Sequence, residues 1–555
     1  MYVRTTQRHN RDGSTVRYLQ LAESVWDPEK QRSQTRIVYN LGREEELDRE
    51  AMLRLAKSIL RIACPDDLAR LKAEAEALGQ PIHFDWVKEY GGLHLLRALW
   101  DRLGLGEEAL RAAGNRPTAP LLAEAAFLLV ANRALAPESK LGVYERWIEE
   151  LYWPGAEGLD LHHLYLALDL LAEEKERIEE AVFFRVADLL SLDVDLLFYD
   201  TTSVYFEADE EDGAEDGLRK RGHSKDHRPD APQVVVGLAV TRDGLPVKSW
   251  VWPGNTTDVS TIETVKKALA GWRLNRVVYV ADGGCLSESN LQTLARGGSG
   301  YIVGVPLRRS KEAAEVLARP GRFRTVADNL QVKEVQIPSE AEAPVATRRR
   351  RYIVCYNPRE AERQRLKRAE ILRLLEAELA ALEARPDDHP KAACALMSSR
   401  RFGPYLKQLK SGRLRIDRAR IQREEKLDGK WLLLTNDPTL SPEDTALGYK
   451  QLQRVEESFL RLKHGIDIRP MHHRAEDRIR AHVFACILAL LLERVAERET
   501  GHSWDHIRRQ FSRLKMVAFQ GSGGRVLQTT DPTPEQRNLL KKLNIEVPKL
   551  IHHAG

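Results

Sequence analysis

Two short apolar runs, each followed directly by an aspartate, constrain the fold more than any other feature of this sequence. The run DLLFY (195–199) leads into Asp200, and the run RVVYVA (276–281) leads into Asp282. Runs of this length and composition are typical of strands buried in a sheet. Because ligands collect outside the carboxyl ends of strands in open α/β sheets, the two aspartates are candidates for one shared site.

The segments around these runs predict an α/β layer. Two β-rich runs, 233–241 and 245–252, flank the dipeptide Asp243-Gly244, which favours a hairpin turn. A helical pattern then alternates with strands up to residue 306. The order of three strands, helix, strand, helix and strand matches a ribonuclease-H-like fold with a mixed sheet. In that topology the first and fourth strands are neighbours, so we expect Asp200 beside Asp282.

Changes in pattern divide the 555 residues into five parts. Strands at 16–22 and 35–41 and a helix at 44–62 predict a mixed α/β region over 1–83. Apolar residues three and four apart predict an all-α DNA-binding domain over 84–190, built either on a helix-turn-helix or as a plain helical bundle. The remaining parts are a ribonuclease-H-like catalytic core split over 191–307 and 428–500, a β-containing insertion at 308–427, and a C-terminal tail at 501–555.

Composition excludes several classes of protein. The five cysteines are scattered without a C-x-x-C pair, which argues against a disulfide framework or a zinc finger and fits a reducing cytoplasm. The longest apolar stretch, 483–492, is too short to cross a bilayer, so no membrane contact is expected. The net charge of +4 is small, and an interaction with nucleic acid must therefore depend on local basic clusters.

A third acid lies in a helix predicted at 449–464, at either Glu456 or Glu457. A helix packed on the sheet can direct a carboxylate towards the strand ends, and three clustered carboxylates repel one another unless cations neutralise them. Two Mg²⁺ ions roughly 3.5–4 Å apart would do so and would favour in-line phosphoryl transfer. The competing interpretation is that these acids are helix caps, turn residues or part of a solvated helix face.

Three motifs together resemble the DDE transposases of bacterial insertion sequences. They are YDTTS (199–203), VADGG (280–284) and a late helix carrying tyrosine, glutamate and lysine. The segments 222–230 and 253–258 resemble the loops before the second core strand and after the hairpin in the same family. The similarity extends over about residues 120–310 and 428–495.

Spacing in the late helix selects Glu456 over Glu457. Three residues fall at the spacing of the Tyr-x2-Arg-x3-Glu-x6-Lys (YREK) signature of the cut-and-paste superfamily, and they are Tyr449, Glu456 and Lys463. Leu452 stands where the signature has arginine, and Arg454 is the nearby candidate to replace it.

The resemblance implies an enzyme that binds terminal inverted repeats, cuts the strand with metal-activated water and joins the freed 3′-hydroxyl to target DNA. It implies that Asp200, Asp282 and Glu456 are the catalytic residues and bind two Mg²⁺ ions, for which Mn²⁺ can substitute. Synapsis of two ends favours a homodimer, and a bacterial cytoplasm with nucleoid association is the expected location.

Candidate DNA contacts come from the signature, from the 222–230 segment and from basic clusters. Lys463 lies two turns beyond Glu456 on the same helix face and is expected to reach a phosphate at the metals. Residues 401–426 contain nine Lys/Arg and three acids, which suits phosphate contact. The candidate contacts are Tyr449, Lys463, Arg454, Lys225, Arg228, Arg348, Arg351, Arg413 and Arg415. The pair His472-His473 is expected to pack or to contact phosphate rather than to bind a metal.

Two other functions remain open at the level of sequence. A ribonuclease-H-like nuclease or resolvase would cut DNA without strand transfer. A domesticated DNA-binding protein would bind DNA without chemistry, but its carboxylate set would be damaged, and here the set is intact. A large α/β protein whose acids are all structural is the remaining, least specific interpretation.

Overall fold

The computed structural model describes residues 2–9, 15–27, 32–43, 83–190, 196–270, 272, 277–308, 310–337, 350–384, 389–521 and 524–554. Contacts divide the chain into two compact units. The first comprises residues 1–87, 517–528 and 551–555, and the second comprises residues 88–516 and 529–550.

The first unit is built from antiparallel strands. One sheet has three strands in chain order, β1 (Tyr2–His9), β2 (Thr15–Asp27) and β3 (Arg32–Arg43). A four-stranded sheet joins β4 (His83–Glu89) to β16 (Lys515–Gly521), β17 (Gly524–Thr529) and β18 (Ile551–Ala554). The two strands expected at 16–22 and 35–41 are confirmed within β2 and β3. The helix expected at 44–62 lies outside the described residues.

The helical pattern at 84–190 corresponds to five longer helices. They are α1 (Gly91–Arg102), α2 (Leu105–Ala113), α3 (Ala119–Leu135), α4 (Leu161–Glu173) and α5 (Lys175–Leu189). These helices do not form a separate all-α domain, because α3 and α4 pack against a late helix, Glu476–Thr500, in one continuous apolar core. Residues 481–493 of that helix are all buried, so this stretch has neighbours on every side.

The central sheet has the expected strand order. Its five strands are β5 (Leu196–Tyr205), β6 (Gln233–Val240), β7 (Pro246–Pro253), β8 (Val278–Ala281) and β9 (Gly300–Val305). They lie in the order β7-β6-β5-β8-β9, with β5, β8 and β9 parallel and the others antiparallel. The crossover helices are α6 (Asp258–Ala270) and α7 (Glu288–Ala295). This is the ribonuclease-H-like arrangement, and β5 and β8 are neighbours.

The predicted end of the first strand in this sheet was wrong. The apolar run was expected to end before Asp200, but β5 continues to Tyr205. The extension forms because residues 200–205 keep pairing with β6, whereas the pairing of β5 with β8 stops at Tyr199 and Ala281. Asp200 therefore lies inside a strand, at the point where its parallel neighbour ends.

The expected insertion at 308–427 is two different structures. Its first part, α8 (Lys311–Ala318), β10 (Arg324–Ala327), β11 (Leu330–Gln336) and β12 (Arg351–Tyr356), extends the sheet. β15 (Lys430–Thr435) pairs with both β9 and β12, so the nine strands run β10-β11-β12-β15-β9-β8-β5-β6-β7. The strands join because β12 and β15 are apolar on both faces and need cover on each side.

The second part of the insertion, residues 357–429, is here called the excursion. It contains α9 (Pro358–Glu383), α10 (His389–Ser398), β13 (Leu406–Gln408), β14 (Leu414–Ile416) and α11 (Arg418–Glu425). It has a small apolar cluster of its own, formed by Leu375, Leu382, Ala393, Leu406 and Leu414. Its two ends meet, because the Asn357 N–H donates to the Gly429 carbonyl at 2.8 Å.

The helix expected at 449–464 is two helices, α12 (Pro442–Lys450) and α13 (Gln453–His464). Tyr449 therefore lies on α12, and Glu456 and Lys463 lie on α13. After α14 (Glu476–Thr500) come α15 (Trp504–Phe511) and α16 (Pro534–Lys542). Residues expected to form a C-terminal tail are structured, since α15 buries Trp504, Ile507 and Phe511 in the core.

No single helix in the described part of the chain is long and apolar enough to cross a membrane. One bent pair, Ala119–Leu135 with Lys140–Glu150, meets that criterion only when both members are taken together.

Candidate active site

Asp200 and Asp282 follow the last paired residues of two neighbouring parallel strands. Tyr199 pairs with Ala281, so the two aspartates occupy the next position on each strand. Side chains alternate along a strand, which places Asp200 and Asp282 on the same face as Phe198 and Val280. Those two apolar residues belong to the core that includes Val455 and Phe459 of α13. Both carboxylates therefore face the side of the sheet that α13 covers.

Tyr449 connects the three candidate acids. Its hydroxyl donates to Asp282 Oδ1 at 3.1 Å. Burial raises the pKa of Tyr449, and the negative charges of Asp282, Asp200 and Glu456 raise it further. The phenol stays protonated as a hydrogen-bond donor in the field of all three carboxylates.

Gly304 on β9 makes room for this tyrosine. A Cβ at residue 304 would lie 2.4 Å from the Tyr449 hydroxyl oxygen, so any larger residue would displace the phenol. The close approach of α12 to the sheet therefore explains why a glycine stands in the strand YIVGVP.

Asp200 is held in an environment that disfavours its charge. Burial raises the pKa of Asp200 to about 6. The Lys225 ammonium and a hydrogen bond from the Thr201 N–H, at 2.7 Å from Asp200 Oδ1, oppose that rise, whereas the charges of Asp258 and Asp282 add to it. The protein's own cations therefore leave the repulsion between these acids only partly neutralised.

Asp258, the first residue of α6, is a fourth acid that the sequence analysis did not select. It accepts a hydrogen bond from the Thr201 hydroxyl. Lys225 Nζ lies 3.5 Å from Asp258 Oδ2 and 3.8 Å from Asp200 Oδ1. The signal was available in the PGNTTD motif (253–258), but an aspartate at the start of a helix has the ordinary role of a cap.

Several candidate DNA contacts form ion pairs within the protein. Lys225 is held between Asp200 and Asp258, as above. Lys463 Nζ donates to Asp226 Oδ1 at 2.8 Å, and Asp226, only 6% exposed, also pairs with Arg469 at 3.2 Å. Sequence reasoning missed Asp226 because it stands in a loop segment 237 residues away.

Three further arginine candidates are also paired. Arg454 pairs with its helix neighbour Glu457 at 3.0 Å. Arg228 pairs with Asp230 at 3.0 Å and with Glu207 at 3.2 Å. Arg351 pairs with Glu334 at 2.7 Å and donates to two backbone carbonyls, so its role is to fasten β12.

The cations of residues 401–426 differ from these. All nine side chains are exposed, and among the residues that the structure describes none forms an ion pair with an acid. We call them the basic surface, and its members are Arg401, Lys407, Lys410, Arg413, Arg415, Arg418, Arg420, Arg423 and Lys426. They lie on β13, β14, α11 and the adjoining loops of the excursion. Arg348 lies outside the described residues.

The donor set fits Mg²⁺. Aspartate and glutamate supply the hard oxygen ligands that this ion prefers, and it takes few of them, completing its shell with water and phosphate oxygens. Within the described ranges, no three Asp, Glu, His or Cys side chains converge closely enough to hold one ion between them. Pairs of carboxylates, with water and substrate as the remaining ligands, are the arrangement that these residues can offer.

Two aspartates at the point where the pairing of adjacent parallel strands ends, Asp200 half-buried and Asp282 exposed, on a ribonuclease-H-like sheet, define a class of enzymes that transfer phosphoryl groups of nucleic acids. The sequence matches the model of the transposase DDE domain over residues 197–492, more than half of the chain. It also matches the N-terminal domain of IS1634 family transposases over residues 3–70. The chain therefore belongs to the family of transposases with a DDE domain, and it is a DDE-type DNA transposase of the insertion-sequence kind.

Two other comparisons add little. No curated protein matches the sequence significantly. Among solved structures, the chain is similar to the piggyBac transposase in a cryo-EM structure of its synaptic complex with hairpin DNA, with 8% sequence identity and a TM-score of 0.35, over 78% of this chain and 82% of that chain. A likeness this distant carries no argument about the reaction.

Proposed function

We propose that Asp200, Asp282 and Glu456 are the catalytic carboxylates and bind two Mg²⁺ ions, for which Mn²⁺ can substitute. The observation that carries this proposal is the convergence on Tyr449. One half-buried phenol, hydrogen-bonded to Asp282, is under the electrostatic influence of all three acids, which lie on β5, directly after β8 and on α13.

The chain's own residues position the reacting groups. Tyr449 fixes one oxygen of Asp282, and the Thr201 N–H fixes one oxygen of Asp200. Lys225, held between Asp200 and Asp258, keeps positive charge beside the acids. When bound, the two ions activate water as a nucleophile and neutralise charge that develops on the transferred phosphate. The residues then align first water and later the freed 3′-hydroxyl with the phosphodiester.

The substrates proposed for this site are the terminal inverted repeats of the element and a target DNA. The basic surface offers nine unpaired cations to phosphates, which would position DNA without reading its sequence. Synapsis of two ends would require two copies of the chain, and we propose a homodimer acting at the bacterial nucleoid.

The test uses purified protein, DNA carrying the element's ends, and Mg²⁺. Asp200→Asn, Asp282→Asn and Glu456→Gln preserve side-chain size and remove one charge each. Each variant should lose cleavage to background and keep its affinity for end DNA. Glu457→Gln is the matched control, since it removes the neighbouring charge on the same helix and should cut at close to the wild-type rate.

Two results would reject the assignment. Cleavage that persists in all three variants would show that other residues perform the chemistry, and loss of cleavage in Glu457→Gln equal to that in Glu456→Gln would leave Glu456 without support. A target plasmid in the same reaction separates the alternatives, because a nuclease or resolvase would release cut ends that never become joined to it.

A further inference from the structure

A cavity of about 310 Å³ lies in the second unit between the loop before residue 141 and the segment after α13. Its lining is rich in nitrogen-bearing side chains, namely Arg133, Lys140, Arg469, His472, His473 and His482. Two acids, Glu138 and Asp467, also line it. None of these residues has a role in the site described above except Arg469, which contacts Asp226.

Two buried cations at this cavity lack an acidic partner. Lys140 is 7% exposed, and its Nζ lies 2.9 Å from His482 Nδ1. Arg133 is 6% exposed and donates to neutral oxygens, the Asn132 side chain and the Glu138 carbonyl. In the described part of the chain, no carboxylate lies within ion-pair distance of either cation. Burying an unpaired charge raises the free energy of the folded protein. An anion bound in the cavity would lower it.

The two acids of the lining do not meet that need. The carboxylate of Glu138 pairs with Arg146 at 2.8 Å. Asp467 meets the cluster through its backbone carbonyl, 3.4 Å from Arg133 Nη1. Burial lowers the pKa of Arg133 overall and outweighs the charges of Asp467 and Glu138, which raise that pKa.

The imidazoles of His473 and His482 act as neutral partners. Burial lowers the pKa of His482 well below its usual value, and the charges of Lys140 and Arg133 lower it further. His482 Nε2 lies 3.3 Å from the Ile468 carbonyl and donates to it, which leaves Nδ1 to accept from Lys140. Burial likewise lowers the pKa of Lys140 to about 7 and that of His473 to about 3. A bound anion would favour the charged form of the lysine.

Arg469 links the lining of the cavity to the ion pair between Asp226 and Lys463. This residue follows α13, and its Nη1 lies 3.2 Å from Asp226 Oδ1, the oxygen that also accepts from Lys463. Arg469 Nε is buried and, within the residues described, has no hydrogen-bond partner. Met471 forms a bridge with Phe206, directly after β5, the strand that carries Asp200.

We propose that this cavity is a phosphate-binding subsite that takes a backbone phosphate of the transposon-end DNA as the strand leaves the catalytic carboxylates. The proposal rests on the proposed function for its source of phosphate. Lysine and arginine side chains give charge-assisted hydrogen bonds to phosphate oxygens, and the neutral imidazoles supply further polar contacts. The cluster is unsuited to a metal ion, because Lys140, Arg133 and Arg469 are cations and would repel it.

Lys140→Met tests the DNA contact, because methionine keeps the length of the side chain and removes the charge. We expect the dissociation constant for end DNA to rise about tenfold at moderate salt, and the slope of log affinity against log salt to fall by about one. Lys267→Met is the matched control: Lys267 is 74% exposed on α6 and pairs with Glu263, so its loss should leave both quantities unchanged. Equal affinity and salt slope in Lys140→Met and wild type would overturn the proposal.

Thermal unfolding without DNA separates a binding role from a structural one. Inorganic phosphate should raise the melting temperature of the wild type saturably at constant ionic strength, and this saturable rise should be absent in Lys140→Met. The variant should be at least as stable as the wild type in chloride, since it loses an unpaired buried charge. Marked destabilisation together with an unchanged salt slope would show that the lysine is structural. A purely linear response of the wild type to phosphate would reject the site whether or not the variant folds.

The same measurements distinguish failure of the subsite from failure of the proposed function. Wild-type protein that neither binds nor cuts its end DNA would reject the proposed function, and the phosphate titration would still decide whether the cavity binds anions. A saturable phosphate response combined with unaltered DNA binding in Lys140→Met would reject DNA as the source of the phosphate.

Discussion

The candidate active site and the basic surface contain the same types of cation in different settings. Near the acids, Lys225, Lys463 and Arg454 each contact a carboxylate of the protein. On the basic surface, nine exposed cations have no described acidic partner. A paired cation fixes the position of a loop or an acid, whereas an unpaired one can neutralise a DNA phosphate and so release the counterions condensed on the DNA. The contrast supports the proposal that the first region performs the chemistry and the second holds DNA.

Removal of metal should have the largest effect, and it should affect cleavage without affecting DNA binding. EDTA is expected to abolish cleavage, because the carboxylates cannot activate water alone, and to leave the affinity for end DNA within about threefold, because that affinity comes from lysine and arginine. Gel electrophoresis of end DNA and fluorescence anisotropy measure the two quantities. Binding that disappears together with cleavage would show that the regions do not act separately.

Tyr449→Phe should have the next largest effect. It removes the hydrogen bond to Asp282 and leaves the ring in place beside Gly304. Outer partners of metal ligands are typically worth about 10–100-fold in activity or metal affinity, so we expect a loss of that size, with more Mg²⁺ needed for half-maximal cleavage. Tyr144→Phe, on a partly exposed tyrosine, is the control. An unchanged Mg²⁺ requirement would contradict the role given to the phenol.

A pair of arginines tests the basic surface directly. Arg413→Ala combined with Arg415→Ala should lower the slope of log affinity against log salt by about two and leave the cleavage rate at saturating DNA unchanged. The control pair, Arg363→Ala with Arg365→Ala, removes two exposed arginines of the same excursion that are paired with Glu360 and Glu362. Equal effects of both pairs would mean that pairing does not decide which cations hold DNA.

The buried cation should show a pH dependence that exposed cations lack. The pKa of Lys140 in the folded protein is lowered to about 7 from 10.5, so between these values the unfolded chain binds more protons and stability rises with pH. Arg133, His473, His482 and Cys486 are the titratable groups that face it. Lys140→Met should therefore melt a few degrees above the wild type at pH 7, with a difference that shrinks towards pH 10. A difference that grows with pH would contradict this.

The smallest effect is expected for Arg454→Ala. Arg454 is 53% exposed and pairs with Glu457, and exposed ion pairs contribute little, so DNA binding and cleavage should change less than about threefold. A loss well above that would instead show that Arg454 leaves Glu457 and replaces the signature arginine missing at Leu452.

The sequence was sufficient for the parts of the fold that local pattern controls. Buried strands, the Asp243-Gly244 hairpin and the neighbours of β5 follow from runs of apolar residues and their order. The nine-stranded sheet was not foreseen, because β15 pairs with β9 and β12, which both lie far from it in the sequence. The break between α12 and α13 was missed as well, since apolar spacing continues across it.

At the site, the sequence indicated the acids better than it indicated their partners. Asp200, Asp282 and Glu456 stand in motifs, and their assignment remains a prediction for the experiments above. Asp226 and Asp258 stand in the family-like segments 222–230 and 253–258, but their contacts with Lys463 and Lys225 exist only after folding. Charge counting cannot separate a cation that pairs with an acid from one that stays free.

The hydrogen bond between Asn357 and Gly429 closes the excursion where it leaves the sheet. β12 and β15 therefore form a hairpin whose loop is a small folded body with its own apolar cluster. Because the whole basic surface lies in that loop, evolution or an engineer can exchange it as a module without altering the register of the strands beneath the carboxylates. A transposase of this kind can change the surface that contacts DNA while its catalytic residues stay the same.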